Sequence, residues 1–190
     1  KKFKYFDKVI GIEPTPDLAK ILRSKKIDVI ESSYEEAILN FKFDVIVNFE
    51  VIEHLFNPQE FLQWCFNNLN PGGCLYLTCP NIGGFETTVL GKESDTVDHE
   101  HLNLFNTISI KTLVEAVGFE KVVVSTPGLL DFDIVKQSYL SKKISKNRLG
   151  PFLLSLIESE SLDTEQKFQK YLIKSNNSTH MMLLAYKPLK

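Results

Sequence analysis

Few side chains in this sequence carry reactive chemistry, and those that do are grouped. Glu50, Glu53 and His54 lie just beyond Phe49, at the far end of the strand opened by the apolar run Val45, Ile46, Val47, where an open α/β sheet presents the carboxyl ends of its strands to ligands. Glu13 closes another short apolar run, residues 8–13. An acid there can accept two hydrogen bonds from a ribose diol, a signal that also fits nicotinamide dinucleotides; the plain alternative is a solvated strand-end acid. Asp98, His99, Glu100 and His101 form a third group. On residue type, His99 and His101 with nearby acids can ligate a metal, but two histidines two apart in a loop seldom suffice, so no metal site is expected. Cys65, Cys74 and Cys79 lack metal-ligand spacing and read as reduced packing thiols.

The elements that must position these groups are legible from periodicity and breaker residues. Residues 8–13 read as a strand, and Thr15, Pro16 and Asp17 start a helix by cap, first-turn proline and first-turn acid. Residues 27–30 form the next strand, and a short helix is expected from Ser32 and Ser33 to about Phe41. Asp44 opens an apolar run with no polar alternation, as expected of a parallel strand covered on both faces. Asn57, Pro58 and Glu60 begin a helix with Phe61, Leu62, Cys65, Phe66 and Leu69 on one face, stopped by Asn70, Pro71, Gly72 and Gly73. Residues 75–78 read as another buried strand ending at Cys79, Pro80 and Asn81. Residues 82–104 are too long and polar for an ordinary connection and are expected to be functional. A helix ending at Gly118, a strand over residues 120–125, helical residues 129–175 and a last strand over residues 180–187 complete the chain. Strand and helix alternating over residues 8–77 imply a mostly parallel sheet, and the two strands flanking the helical insertion can pair as its antiparallel edge.

The 190 residues, 43% hydrophobic with 14 Phe, can bury one good core. A formal net charge of -2 gives no reason to invoke nucleic acid or an anionic membrane. The basic cluster Lys142, Lys143, Lys146, Arg148 reads as a solvated face. No apolar run approaches a membrane span and residues 1–8 do not read as a signal peptide, so a soluble, cytoplasmic protein is expected.

Four stretches, KVIGIEPTPDLAK (8–20), FDVIVNFEVIEHLFNPQEFL (43–62), LNPGGCLYLTCPN (69–81) and DHEHLNLFNTISIKTLVEAVGFE (98–120), stand in the order and spacing of class I S-adenosylmethionine-dependent methyltransferases. The chain resembles that family over residues 8–125. The resemblance implies an α/β, Rossmann-like, mostly parallel sheet with an antiparallel C-terminal edge strand and a helical insertion, and S-adenosylmethionine as cofactor. Its expected organisation is one domain over residues 1–190: a core at 8–128, an insertion or lid at 129–178 and a closing strand at 179–190. Glu13 matches the family acid on the ribose hydroxyls, and Pro14 and Thr15 lie where the adenine packs. Ser32 and Ser33 fall where the family often places an acid for the adenine amino group, a departure that a hydroxyl acceptor can partly fill. Phe49, Glu50 and Val51 match the segment lining the methionine end.

Methyl transfer needs alignment, exclusion of water and, for a hydroxyl acceptor, removal of a proton. His54 and His101 are the candidate catalytic residues, since imidazole is the natural proton acceptor near neutrality; the alternative for each is a structural ring bonding the backbone. The partner implied is a small-molecule acceptor of sugar, polysaccharide-precursor or secondary-metabolite type, handled by a monomer or homodimer. The family's glycine-rich loop belongs before Lys8, and neither Gly72 and Gly73 nor Gly83 and Gly84 can replace it. The sequence is therefore expected to be part of a longer enzyme, N-terminally truncated. The alternative is a non-catalytic binding module that keeps the sheet without a complete cofactor site.

Overall fold

The computed structural model describes residues 5–190, so the reading of the first four residues lies outside them. The chain forms two compact units, one through Lys42 and one over Phe43–Lys190. In the first, β1 (Ile10–Ile12) pairs in parallel with β2 (Asp28–Ile30), and α1 (Pro16–Ser24) crosses between them. The Glu13 N–H donates to the Ile30 carbonyl at 3.0 Å, carrying the ladder one residue further. Thr15 is the N-cap of α1 by position, but its side chain makes no cap hydrogen bond; Pro16 and Asp17 supply the start. The helix expected after Ser33 is absent: residues 34–36 are a turn. Its apolar face finds no cover, with Ile38 93% exposed, and a short helix without tertiary packing does not persist.

The second unit is a four-stranded sheet in the order β3-β4-β6-β5. β3 (Phe43–Phe49) runs parallel to β4 (Leu69–Pro80), with Val45 opposite Cys74 and Phe49 opposite Thr78. β6 (His180–Tyr186) lies antiparallel between β4 and β5 (Glu120–Ser125), so the strands flanking the insertion do pair. β3 is not covered on both faces as its apolar run suggests. Val45, Val47 and Phe49 are exposed while Asn48 is buried. Among the described residues β3 pairs only with β4, as an edge strand of this sheet, and the core is centred on β4 and β6, where Leu75, Leu77, Met181, Leu183 and Ala185 are fully buried.

α2 (Pro58–Asn68) starts as its cap signal indicates, the Asn57 side chain accepting from the Glu60 N–H at 3.2 Å, and buries Phe61, Leu62 and Cys65. It stops sooner than expected because β4 already begins at Leu69 and absorbs the Pro71, Gly72, Gly73 turn. The chain end draws it in: the Gly72 N–H donates to the Lys187 carbonyl and the Lys187 N–H to the Gly73 carbonyl. The Lys187 ammonium donates to the Phe66 and Leu69 carbonyls, satisfying the open end of α2. α4 (Thr107–Val117) has a full capping box between Asn106 and Ser109 and ends on Gly118 at φ 112, a conformation that favours glycine.

Residues 82–104 are not all loop. α3 (Phe85–Leu90) forms there and packs into the insertion, which consists of α5 (Asp131–Leu140), α6 (Gly150–Glu158) and α7 (Leu162–Lys174). Leu90 joins Phe132, Val135, Ile144, Leu149, Leu156 and Ile157 in one buried cluster. Phe168 is met edge-on by Phe85, Phe132 and Phe152 at 5.2, 5.7 and 6.2 Å. The insertion is tied to the start of β6 by Asp131, which accepts from Ser178 Oγ at 2.6 Å, Gln169 Nε2 at 2.9 Å and the Thr179 N–H. Among the described residues no helix is long and apolar enough to cross a membrane.

Candidate functional site

Parallel pairing of β3 with β4 and antiparallel pairing of β6 bring three chain segments to one end of the sheet: residues 49–55 after β3, residues 79–81 after β4, and His180 at the start of β6. Glu50 makes the turn out of β3. Its φ is 50°, unusual for a residue with a Cβ. Its N–H donates to the Thr78 carbonyl at 3.0 Å, and its Oε1 accepts from Thr78 Oγ1 at 2.6 Å. Phe49 and Val51 on either side are exposed, Phe49 lying edge-on to Tyr76 at 5.8 Å.

The next turn, Ile52–His54, drives Glu53 inward to 1% exposure. Neither of its carboxylate oxygens has a hydrogen-bond partner; the nearest base, His54 Nε2, is 3.9 Å from Oε1. Burial pushes the Glu53 carboxyl up from its ordinary range, and the Glu50 charge adds to this. A buried acid without donors favours its protonated form.

His101 arrives from the far loop. Asp98 accepts from the Glu100 and His101 N–H groups, and Asn103 donates through its N–H to the Glu53 carbonyl and through its side chain to the Leu55 carbonyl. These bonds stitch the two loops together and set the His54 and His101 rings 4.8 Å apart. His54 Nδ1 lies 2.9 Å from the Glu100 carbonyl and His101 Nδ1 2.8 Å from that of Thr96. A carbonyl can only accept, so Nδ1 carries the hydrogen in each ring, and in the neutral ring the lone pair is on Nε2. Both rings therefore brace the backbone and also keep a reactive nitrogen. Glu53, His54 and His101 each offer a ligand atom within 4.8 Å of the others. The set can share a proton or take a divalent cation. The sequence offered His99 with His101 for such a role; His99 is exposed, and His54 stands in its place.

The remaining candidates, Glu13, Pro14, Thr15, Ser32 and Ser33, lie in the first unit. Glu13 is half-buried, and its Oε1 accepts from the Thr15 N–H at 2.8 Å. That bond orients the carboxylate at the strand end and occupies one oxygen. Pro14 and Thr15 are exposed, and Ser32 Oγ donates to the Ser33 carbonyl at 3.1 Å. Ser32 and Ser33 are half-buried.

His180 was not singled out by the sequence, where it reads only as the first residue of a strand. The register that sets Pro80 opposite His180 brings its Nδ1 to 3.5 Å from Glu50 Oε1, with both side chains nearly half exposed. No local signal announces this, because it depends on which strand β6 pairs with and in which direction.

Residues 2–124 match the family described as "Methyltransferase domain". A probable S-adenosylmethionine-dependent methyltransferase of Mycolicibacterium smegmatis is 30% identical over 116 residues, covering 60% of this chain and 44% of that protein. The mouse mitochondrial ubiquinone biosynthesis O-methyltransferase is 34% identical over 84 residues, 38% of this chain and 23% of that one. The chain thus spans less than half the length of these relatives. Among solved structures, a SAM-dependent methyltransferase from Archaeoglobus fulgidus shares the fold, with a TM-score of 0.59 at 18% identity over 94% of this chain and 75% of that one.

Proposed function

The chain belongs to the class I S-adenosylmethionine-dependent methyltransferases, and on that premise we propose that it transfers a methyl group to a hydroxyl of a small molecule. The observation that carries the reading is the set Glu53, His54 and His101, three groups able to handle a proton at the carboxyl ends of β3 and β4. The O-methyltransferase named among the relatives supports a hydroxyl acceptor.

Within the first unit, Glu13 would suit ribose hydroxyls through its unoccupied oxygen, with Pro14, Thr15, Ser32 and Ser33 suited to the adenine; within the second, Phe49, Glu50 and Val51 would suit the methionine end. The cofactor, when bound, supplies a methyl group on a positively charged sulfur. His54 and His101, steadied by backbone carbonyls and backed by Glu53, hold the acceptor's oxygen in line with that methyl. Helices α5, α6 and α7, docked through α3 on the loop that carries His101, form a lid that keeps water out. Calorimetry with S-adenosylmethionine tests the reading. Binding that is weakened at least tenfold by Glu13→Ala supports it, and no binding by a folded protein sinks it.

A second reading of the same set is favoured by the unpartnered oxygens of Glu53. A divalent cation held by Glu53, His54 and His101 would polarise the acceptor oxygen. Titration with Mn2+ in place of a native metal decides it, since Glu53→Gln should remove a stoichiometric binding event.

A further inference from the structure

We infer that His180, oriented by Glu50, is the base that takes the proton from the acceptor hydroxyl; this deepens the methyl-transfer reading and rests on it. The pair is built from rigid parts. His180 opens β6 in register with Pro80, and Glu50 is locked by two bonds to Thr78, one from its own N–H and one to its carboxylate. A left-handed backbone at a residue with a Cβ is sustained only where the surroundings demand it, and such positions gather at functional sites. Here the conformation aims a carboxylate at Nδ1 of His180 from 3.5 Å. By its charge, a carboxylate there favours the hydrogen on Nδ1 and leaves the Nε2 lone pair free, the arrangement by which an acid readies an imidazole for proton transfer.

The alternative bases are less suited. Nε2 of His54 faces the buried Glu53 carboxyl from 3.9 Å, within the set that holds the acceptor oxygen. His101 is buried more deeply, its side chain 15% exposed against 45% for His180. His180 can release its proton to solvent. The charged groups facing it are Glu50 from the end of β3 and Asp131 of α5, which holds the adjoining Thr179 N–H. In the step, the acceptor O–H bond breaks and its proton passes to Nε2. The electron pair left on oxygen bonds the incoming methyl carbon, and the C–S pair returns to sulfur.

Two readouts on the full protein test the inference. With 15N-labelled histidine, long-range 1H–15N spectra report which ring nitrogen carries hydrogen. His180 is expected to be mainly the Nδ1–H tautomer, shifting to a mixture in Glu50→Gln and unchanged in His54→Asn. A dominant Nε2–H tautomer, or no response to Glu50→Gln, overturns the inference whether or not a methyl acceptor is at hand. Methyl transfer is then followed from S-adenosylmethionine to 3,4-dihydroxybenzoate as a probe hydroxyl. His180→Gln should lower kcat by roughly 100-fold, the usual scale for a lost general base, leave KM and cofactor affinity in place, and abolish the fall of rate on the acid side. Wild-type kcat in a folded His180→Gln overturns the assignment. Loss of S-adenosylmethionine binding in the wild type would instead sink the methyltransferase reading, while the tautomer still decides the pair. Without turnover of the probe, the tautomer alone decides.

Discussion

Among the buried acids of the second unit, two are held in opposite ways. Asp131, 3% exposed, accepts from Ser178, Gln169 and Thr179 and ties the helical insertion to β6. Glu53, 1% exposed, accepts from nothing, with two histidines standing by. An acid whose acceptor sites are filled stabilises the fold that fills them, whereas one left without donors is a reservoir of unmet polarity. The first is a structural anchor; the second keeps both of its acceptor oxygens open.

The contrast breaks if removing either acid has the same consequence. Asp131→Ala strips three donors of their acceptor and should destabilise by about 4 kcal/mol, on the scale of several lost charge-assisted bonds. Urea unfolding measures it, and a loss under about 1 kcal/mol would leave Asp131 no more structural than Glu53. Gly84→Ala attacks the same anchor from the other side. A Cβ at Gly84 meets the backbone of Thr179, which cannot yield as a side chain tip can, so a loss of about 2 kcal/mol is expected; an unchanged thermal midpoint would show that the junction is looser than drawn.

Glu53→Gln should do the reverse, leaving stability near neutral pH unchanged or slightly higher while lowering methyl transfer at least tenfold. It also sharpens the comparison through pH. A carboxyl whose folded value is raised binds its proton more tightly in the folded protein, so stability is fully present below the ordinary carboxylate range and falls as pH rises through it toward the folded value. Glu53 and Glu86 are both raised, chiefly by burial. Glu53→Gln should flatten the decline in part and Glu53→Gln with Glu86→Gln should flatten it further; a steeper decline in either would contradict the burial argument. The smallest effect is expected of Thr78→Val, which removes one hydroxyl bond from the exposed Glu50 and should cost about 1 kcal/mol. Its more telling readout is a loosened Glu50, seen as a mixed His180 tautomer.

Much of this was legible in the chain. Asn57, Pro58 and Glu60 marked the start of α2 and Gly118 the end of α4, because caps and stops act on neighbours within four residues; the Asn106 cap of α4 came from the structure. The family was legible because its four motifs stand in order. The expected helix after Ser33 failed because its apolar face, Ile38 above all, found no cover, and the cover expected on β3 failed because an apolar run does not say which elements pack over it. Of the site, Glu50, Glu53, His54 and His101 were visible as residue types beyond a strand end. Their division of labour was not.

By itself, the sequence determined the alternation of strands and helices, the buried run over residues 75–78, and the acids and histidines placed after strand ends, since each depends on residues close in the chain. Only the tertiary structure decided that His54 meets His101 across 47 positions, that Glu53 loses every donor, and that His180 faces Glu50. Those depend on loop stitching by Asn103 and on the antiparallel register of β6, and a register is chosen by the whole sheet rather than by the residues that end up facing one another.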